Sequence, residues 1–263
     1  MSFQTPRQVF HSIAESGAIK IQTNTVKVLL LSFLAGSYIA FGGLLAIKVG
    51  AGIPQIKAAN PGLAAFLFGG VFPVGLMLVV MAGAELFTGN TALLIPALKQ
   101  KKITYRAIAK NWTLSYFGNF VGSLFVVYFF VSATDLLIQD PWYSATIEIA
   151  ENKVNQGFIP LFLKAVSCNW LVCLALWLTV SSNQVSGKIL GIWFPIMTFV
   201  TLGFEHSIAN MFFIPLGIFQ GADVTWMEFF IDNLVPVTLG NIVGGAVFVG
   251  MIYSYVYLDK ENK

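Results

Sequence analysis

Gly203–Asn210 reads GFEHSIAN. It lies inside an apolar segment running from about Ile189 to Phe219, long enough to cross a bilayer. Glu205, His206, Ser207 and Asn210 interrupt that segment near its middle, where ionisable groups are expensive to place. A second stretch, Gly83–Asn90 (GAELFTGN), sits in the same way inside the segment from about Ala64 to Leu98. Both read Gly-x-Glu-x-x-x-x-Asn, and each follows a Phe-Pro pair, Phe72-Pro73 and Phe194-Pro195. A polar break repeated in two membrane segments points to a transport path, because discontinuous helices place their exposed ends at a substrate.

Composition agrees. Hydrophobic residues make up 57% of the 263 and charged residues 10%, with a mean hydropathy of +0.77. A soluble domain carries about 25% charged residues, so this is an all-α integral membrane protein. The net charge of +3 implies no nucleic-acid partner. Cys168 and Cys173 share one apolar segment, where they serve as packing residues. No basic–apolar–small leader opens the chain, so the first span is expected to direct its own insertion.

Thr5-Pro6 predicts a helix start, with Val9, Phe10, Ile13 and Ala14 on one face. Residues 1–26 are therefore expected to form a cytoplasmic amphipathic segment lying along the membrane surface, with His11 a solvated member. Six spans follow in residues 27–258: about Val28–Val49, Ala64–Leu98, Ile108–Val131, Phe158–Val180, Ile189–Phe219 and Phe230–Tyr257. The second and fifth are the broken ones. Asp135 to Lys153 form the longest polar connection, and 259–263 a short tail. The cluster Lys99, Lys101, Lys102, Arg106 and Lys110, with Arg7, Lys20, Lys27, Lys188, Lys260 and Lys263, falls on one side. By the positive-inside rule both termini are cytoplasmic.

Asn111 with Gly118-Asn119-Phe120-Val121-Gly122 and Asn233 with Gly240-Asn241-Ile242-Val243-Gly244 share one pattern. Span three thus matches six, and two matches five. Three spans per repeat (27–135 and 156–258) make the second half enter from the opposite side, giving an inverted pair. The Gly-x-x-x-Gly pairs allow close helix approach. Asn119 and Asn241 are less bland, because an amide in hydrocarbon needs partners.

A helix broken in hydrocarbon strands backbone groups that must find partners. Glu85 and Glu205, with Asn90 and Asn210, are expected to be structural, the carboxylates accepting from amides freed in the opposite half. The rival role is a metal site made with His206, and the ligand set is thin for one. His206 alone among the histidines lies inside a span, and its neutral ring has one donor and one acceptor. Thr88 on the partner break offers a hydroxyl. Apolar residues around them, including Phe72, Leu76, Val172 and Phe199, are either core or narrow constrictions.

At GAELFTGN, CNWLVCLALW, GFEHSIANMFFIP and DNLVPVTLGNIVGG the chain resembles the formate/nitrite transporter family, over nearly its whole length. That resemblance implies an aquaporin-like protomer in a homopentamer, with a pore in each protomer. It implies passage of formate, nitrite, hydrosulfide, acetate or lactate across a lipid bilayer, with no cofactor. The family's Leu-Phe-Thr loop falls on Leu86, Phe87 and Thr88, and its central histidine on His206. Its constrictions fall on Leu76 and Val172 on the cytoplasmic side, and on Phe72 and Phe199 on the outer side. Its vestibule lysine falls on Lys153, which acts by its field, and its pore-lining asparagines on Asn169 and Asn241.

The function read here is a conduit for small monovalent anions, formate first, then nitrite or hydrosulfide. His206 gives the anion a proton or a strong hydrogen bond as it crosses the apolar slit. An aquaporin-type neutral-solute channel would carry Asn-Pro-Ala at both breaks, and neither has it. A membrane enzyme with a Glu/His metal site would need clustered polar groups near the water interface.

Overall fold

The computed structural model describes residues 3–258, so the tail 259–263, with Lys260 and Lys263, lies outside the described residues. The helices are α1 (Pro6–Ile21), α2 (Thr25–Ala51), α3 (Pro54–Ala59), α4 (Pro61–Met81), α5 (Phe87–Lys99) and α6 (Tyr105–Thr134). They continue as α7 (Trp142–Val154), α8 (Phe158–Ser181), α9 (Val185–Thr201), α10 (Ser207–Phe219) and α11 (Trp226–Tyr257). Five of these (α2, α4, α6, α8 and α11) are long and apolar enough to cross a membrane. The shorter α9 and α10, joined at the second break, make the remaining apolar segment.

Close packing of α2 on α6 and of α8 on α11 builds the two halves. Gly122 has a side-chain position only 1.9 Å from the Phe33 carbonyl oxygen, and Gly244 one 2.3 Å from that of Val166. Any Cβ there would force the paired spans apart, as the Gly-x-x-x-Gly spacing predicts. Each half then ends its first broken helix on a glycine in left-handed conformation, Gly83 (φ +79) and Gly203 (φ +69), which L side chains rarely adopt. That is why both breaks begin with glycine.

Two segments differ from expectation. α1 starts at the Thr5 cap with Pro6 in its first turn, as predicted, and Val9, Phe10, Ile13 and Ala14 are buried. Their cover is protein: Val9, Phe10 and Ile13 cluster with Ala92 of α5, Cys173 and Trp177 of α8 and Val249 of α11. An amphipathic stripe buries against whatever apolar surface is nearest, and here the end of the bundle supplies one. So the apolar stripe of α1 is covered by the end of the bundle and not by lipid.

The connection from Asp135 to Lys153 is not merely polar linker. It contains α7, whose Ala150 packs so closely on Gly217 of α10 that a Cβ there would come within 2.3 Å of the Ala150 methyl. At the other end, Gly17 of α1 sits on α5, where a Cβ would be 2.7 Å from the Leu93 carbonyl oxygen. Each half therefore opens with a short helix resting on its own re-entering segment, so the repeat begins earlier than the spans suggest.

Replacing Gly122 by Ala is expected to lower the thermal midpoint of the detergent-solubilised protein by several degrees. Gly70→Ala, on α4 with nothing within 4 Å of its side-chain position, should leave it unchanged or slightly raised. Equal midpoints for the two variants would show that close approach of α2 and α6 is not what holds that half together.

Candidate functional site

Each break releases backbone groups in an apolar interior, and one asparagine collects them. At the first break, Asn119 Oδ1 accepts the Phe87 N–H at 2.9 Å, while its amide donates to the carbonyls of Glu85 at 2.9 Å and Ser32 at 2.7 Å. At the second, Asn241 Oδ1 accepts the Ser207 N–H at 2.8 Å, and its amide donates to Glu205 at 3.0 Å and Ala165 at 2.9 Å. The freed amides are thus satisfied within the same half. This corrects the expectation that glutamates of the opposite half take them: a short side chain on the adjacent span reaches both the freed N–H and the carbonyl two residues before it.

The glutamates do something else. Glu85 accepts from Lys20 of α1 at 2.5 Å and from Asn90 at 2.8 Å. Glu205 accepts from Lys153 of α7 at 3.0 Å and from Asn210 at 2.7 Å. Asn90 and Asn210 each donate a second time, to Asn111 at 2.9 Å and Asn233 at 2.8 Å. Among the described residues no group of three or more His, Cys, Asp or Glu could hold a metal ion. The two glutamates line different cavities at opposite ends of the bundle.

Lys20 was not singled out in the sequence as a site residue. The signal is its mirror relation to Lys153, hidden because Lys20 and Glu85 are 65 residues apart while Lys153 and Glu205 are 52 apart. Part of that difference is α3, which lengthens the connection between α2 and α4.

The α7-side cavity, of about 710 Å³, reaches from Lys57 and Glu148 at its mouth down to Lys153, Glu205, Asn210, Phe72, Phe199 and His206. Asp140 at the mouth accepts from the hydroxyl and N–H of Ser144, which hold its carboxyl below the usual carboxylate range. The α1-side cavity, of about 380 Å³, is lined by Lys20, Glu85, Leu86, Asn90 and Leu176 among others, with Ser16 and Lys20 of α1 forming its wall. Leu76 and Val172, 2% and 1% exposed, line neither and belong to the apolar cluster that separates them.

At the floor of the α7-side cavity Phe199 stacks on the His206 ring (5.9 Å, 16°) and meets Phe72 edge-on (6.0 Å, 78°). His206 Nδ1 accepts the Ala209 N–H at 3.1 Å, capping α10. A neutral ring then carries its proton on Nε2, which lies 3.0 Å from Thr88 Oγ1 and donates to it. The Thr88 hydroxyl hydrogen is left for another acceptor. Two donors in series, from opposite breaks, thus meet in the apolar layer.

Other residues named from the sequence fall elsewhere. Phe87 turns away from the two cavities, packing edge-on against Tyr116 (4.9 Å) and Trp112 (6.2 Å) at a lateral groove. Asn169 donates to the Thr88 carbonyl at 3.1 Å, Thr91 Oγ1 at 2.9 Å and the Asn241 carbonyl at 2.6 Å, and Asn241 is used on backbone as described. Both asparagines are fully buried, so they hold the breaks in place beside the path and do not line either cavity. Lys164 donates to Gln156 at 2.6 Å.

The chain matches the family model described as "Formate/nitrite transporter" over residues 7–255. It is 48% identical over 274 residues to a "Probable formate transporter" of Methanothermobacter thermautotrophicus, covering 98% of this chain and 99% of that one. It is similar to a solved "FNT family ion channel" with a TM-score of 0.86 and 31% identity, covering 94% of this chain and 98% of that one. A "Pentameric formate channel with formate bound" follows at a TM-score of 0.79 and 35% identity, with 89% and 98% covered. These relatives are channels and transporters, not enzymes. From its motifs, its fold and its likeness along nearly all its length, the chain belongs to the formate/nitrite transporter family.

Proposed function

We propose that the chain carries formate, and with it other small monovalent anions, across a bilayer through a path within each protomer. The observation that carries this reading is the Thr88–His206 pair, held between the α7-side cavity, taken here as the outer, and the α1-side cavity, taken as the inner, and walled by apolar side chains. The anion enters the outer cavity, where Lys153 is paired with Glu205 and still favours negative charge by position. It loses water between Phe72 and Phe199, then meets the donors. Thr88 presents its hydroxyl, oriented because His206 Nε2–H already occupies the Thr88 oxygen. Beyond Leu76, Val172 and Leu86 lies the inner cavity, with Lys20 at its wall.

The tautomer sharpens the role of His206. Taking up a second proton at Nδ1 would expel the Ala209 N–H and uncap α10. His206 therefore acts in its capped state as a neutral hydrogen-bond donor, and a proton that neutralises the anion comes with it from water. Weak acids such as formate, nitrite, hydrosulfide, acetate and lactate fit that requirement, and chloride does not. Both termini face the cytoplasm in this reading, and a homopentamer is the assembly, as in the pentameric relative.

In proteoliposomes, formate uptake is expected to accelerate when the outside is made more acidic, with chloride lagging well behind. His206→Asn keeps a side-chain oxygen to cap α10 while removing the Nε2 donor, and should cut uptake by about tenfold, the worth of one hydrogen bond in a dry site. Uptake no faster than in empty liposomes for every anion would sink the conduit reading. Lys153→Gln leaves Glu205 unpaired on the cavity floor. It should slow formate flux in both directions, with the difference from the unchanged protein shrinking as salt is raised on the Lys153 side. A slowing that does not respond to salt on that side would remove the field role of Lys153.

A further inference from the structure

A groove of about 730 Å³ opens sideways between α6 and α11, well away from the two axial cavities. Its walls are Trp112, Tyr116 and Phe120 on one side and Leu239 and Ile242 on the other, with Phe87 also facing it. The Tyr116 hydroxyl and Thr238 Oγ1 bond to each other at 2.9 Å, so apart from the Thr113 hydroxyl the groove presents a mostly apolar lining. Along α6 the groove face runs through Ala109, Thr113, Tyr116 and Phe120 at helical spacing. Arg106 stands one turn before Ala109 and Lys110 one turn before Thr113, both exposed, so the two cations flank the Ala109 end of the groove on α6.

Neither cation makes an ion pair among the described residues. At that end of the bundle the described acids Glu15 and Glu85 are already taken by Lys102 and Lys20. A basic end continuous with an apolar trough has the charge pattern of an anionic phospholipid turned inside out. A second copy of the chain would have to bring an acid to the same place.

We propose that this groove binds one anionic phospholipid, its phosphate on Arg106 and Lys110 and an acyl chain along Trp112, Tyr116 and Phe120. Clusters of basic residues beside a spanning helix attract anionic headgroups, and the trough gives the tail a dry, shaped seat. The occupant touches Phe87, the residue before Thr88, so its packing reaches the first break. This inference does not depend on which anion the path carries.

The full-length protein is reconstituted in phosphatidylcholine vesicles containing phosphatidylglycerol, extracted into detergent and scored for phospholipid retained per protomer by mass spectrometry. Retained phosphatidylglycerol is expected to fall about tenfold or more in the paired variant Arg106→Gln and Lys110→Gln, since each cation adds to headgroup attraction. Thr238→Trp, which fills the trough, should release it to a similar degree. Leu239→Trp on the same wall replaces it should Thr238→Trp fail to give a monodisperse protein. Combining head and trough changes should lose no more than either alone. Retention unchanged in both variants overturns the site, as does loss in the charge variant alone, which would mean surface attraction without a groove. Efficient disulfide joining of Thr238→Cys copies in the membrane also overturns it, because a second copy then covers the trough. Formate uptake is measured separately, so failure here leaves the conduit reading standing, and failure there leaves the lipid site standing.

Discussion

A backbone group stripped of its helix partner inside hydrocarbon costs several kcal/mol unless something else bonds to it. Everything at the centre of this protein follows from meeting that constraint twice. Asn119 and Asn241 each accept one freed N–H and donate to the carbonyl just before it, stitching each break to its neighbouring span. With the backbone closed in this way, the side chains that follow are available for a path. Asn169 extends the same stitching across the halves, binding the Thr88 carbonyl of one break and the Asn241 carbonyl beside the other. The Thr88–His206 contact is therefore held from behind by amides that never need to touch a solute.

The buried ion pairs belong to the same scheme. Lys20–Glu85 and Lys153–Glu205 bring two cations onto the walls of the cavities without leaving a bare charge under hydrocarbon. Removing one partner of such a pair is strongly unfavourable, because the survivor is left unpaired where water is scarce. The short helices α1 and α7 exist, in this view, to deliver those lysines. Each rests its apolar face on the re-entering segment of its own half and ends near the glutamate it serves.

Much of this was legible in the sequence. GAELFTGN and GFEHSIAN announced both breaks, since acids and amides in a long apolar run have few other uses. Gly83 and Gly203 marked where the helices end, and the shared Asn and Gly pattern paired span three with six. Thr88 and His206 came from the same stretches and do meet. What the residues alone could not give was direction. Phe87 lies between two path residues, yet its ring goes the other way, towards Tyr116 and Trp112. The cover of α1 was not legible either, because a stripe of Val9, Phe10 and Ile13 looks the same whether lipid or protein covers it. Lys20 was hidden by the extra length that α3 adds to the first half.

The two breaks are equal in frame and unequal in chemistry. At matching positions the first carries Leu86, Phe87 and Thr88, and the second His206, Ser207 and Ile208. Glycine, glutamate and asparagine on either side are shared, and those are the residues tied to backbone and lysine. A duplicated ancestor would have presented the same face twice, giving a path with no inherent polarity. Divergence at the five other positions of each break gives it a histidine side and a threonine side while leaving the skeleton untouched. Such a design separates heritable architecture from tunable lining, so descendants can trade one solute for another without renegotiating how the chain folds.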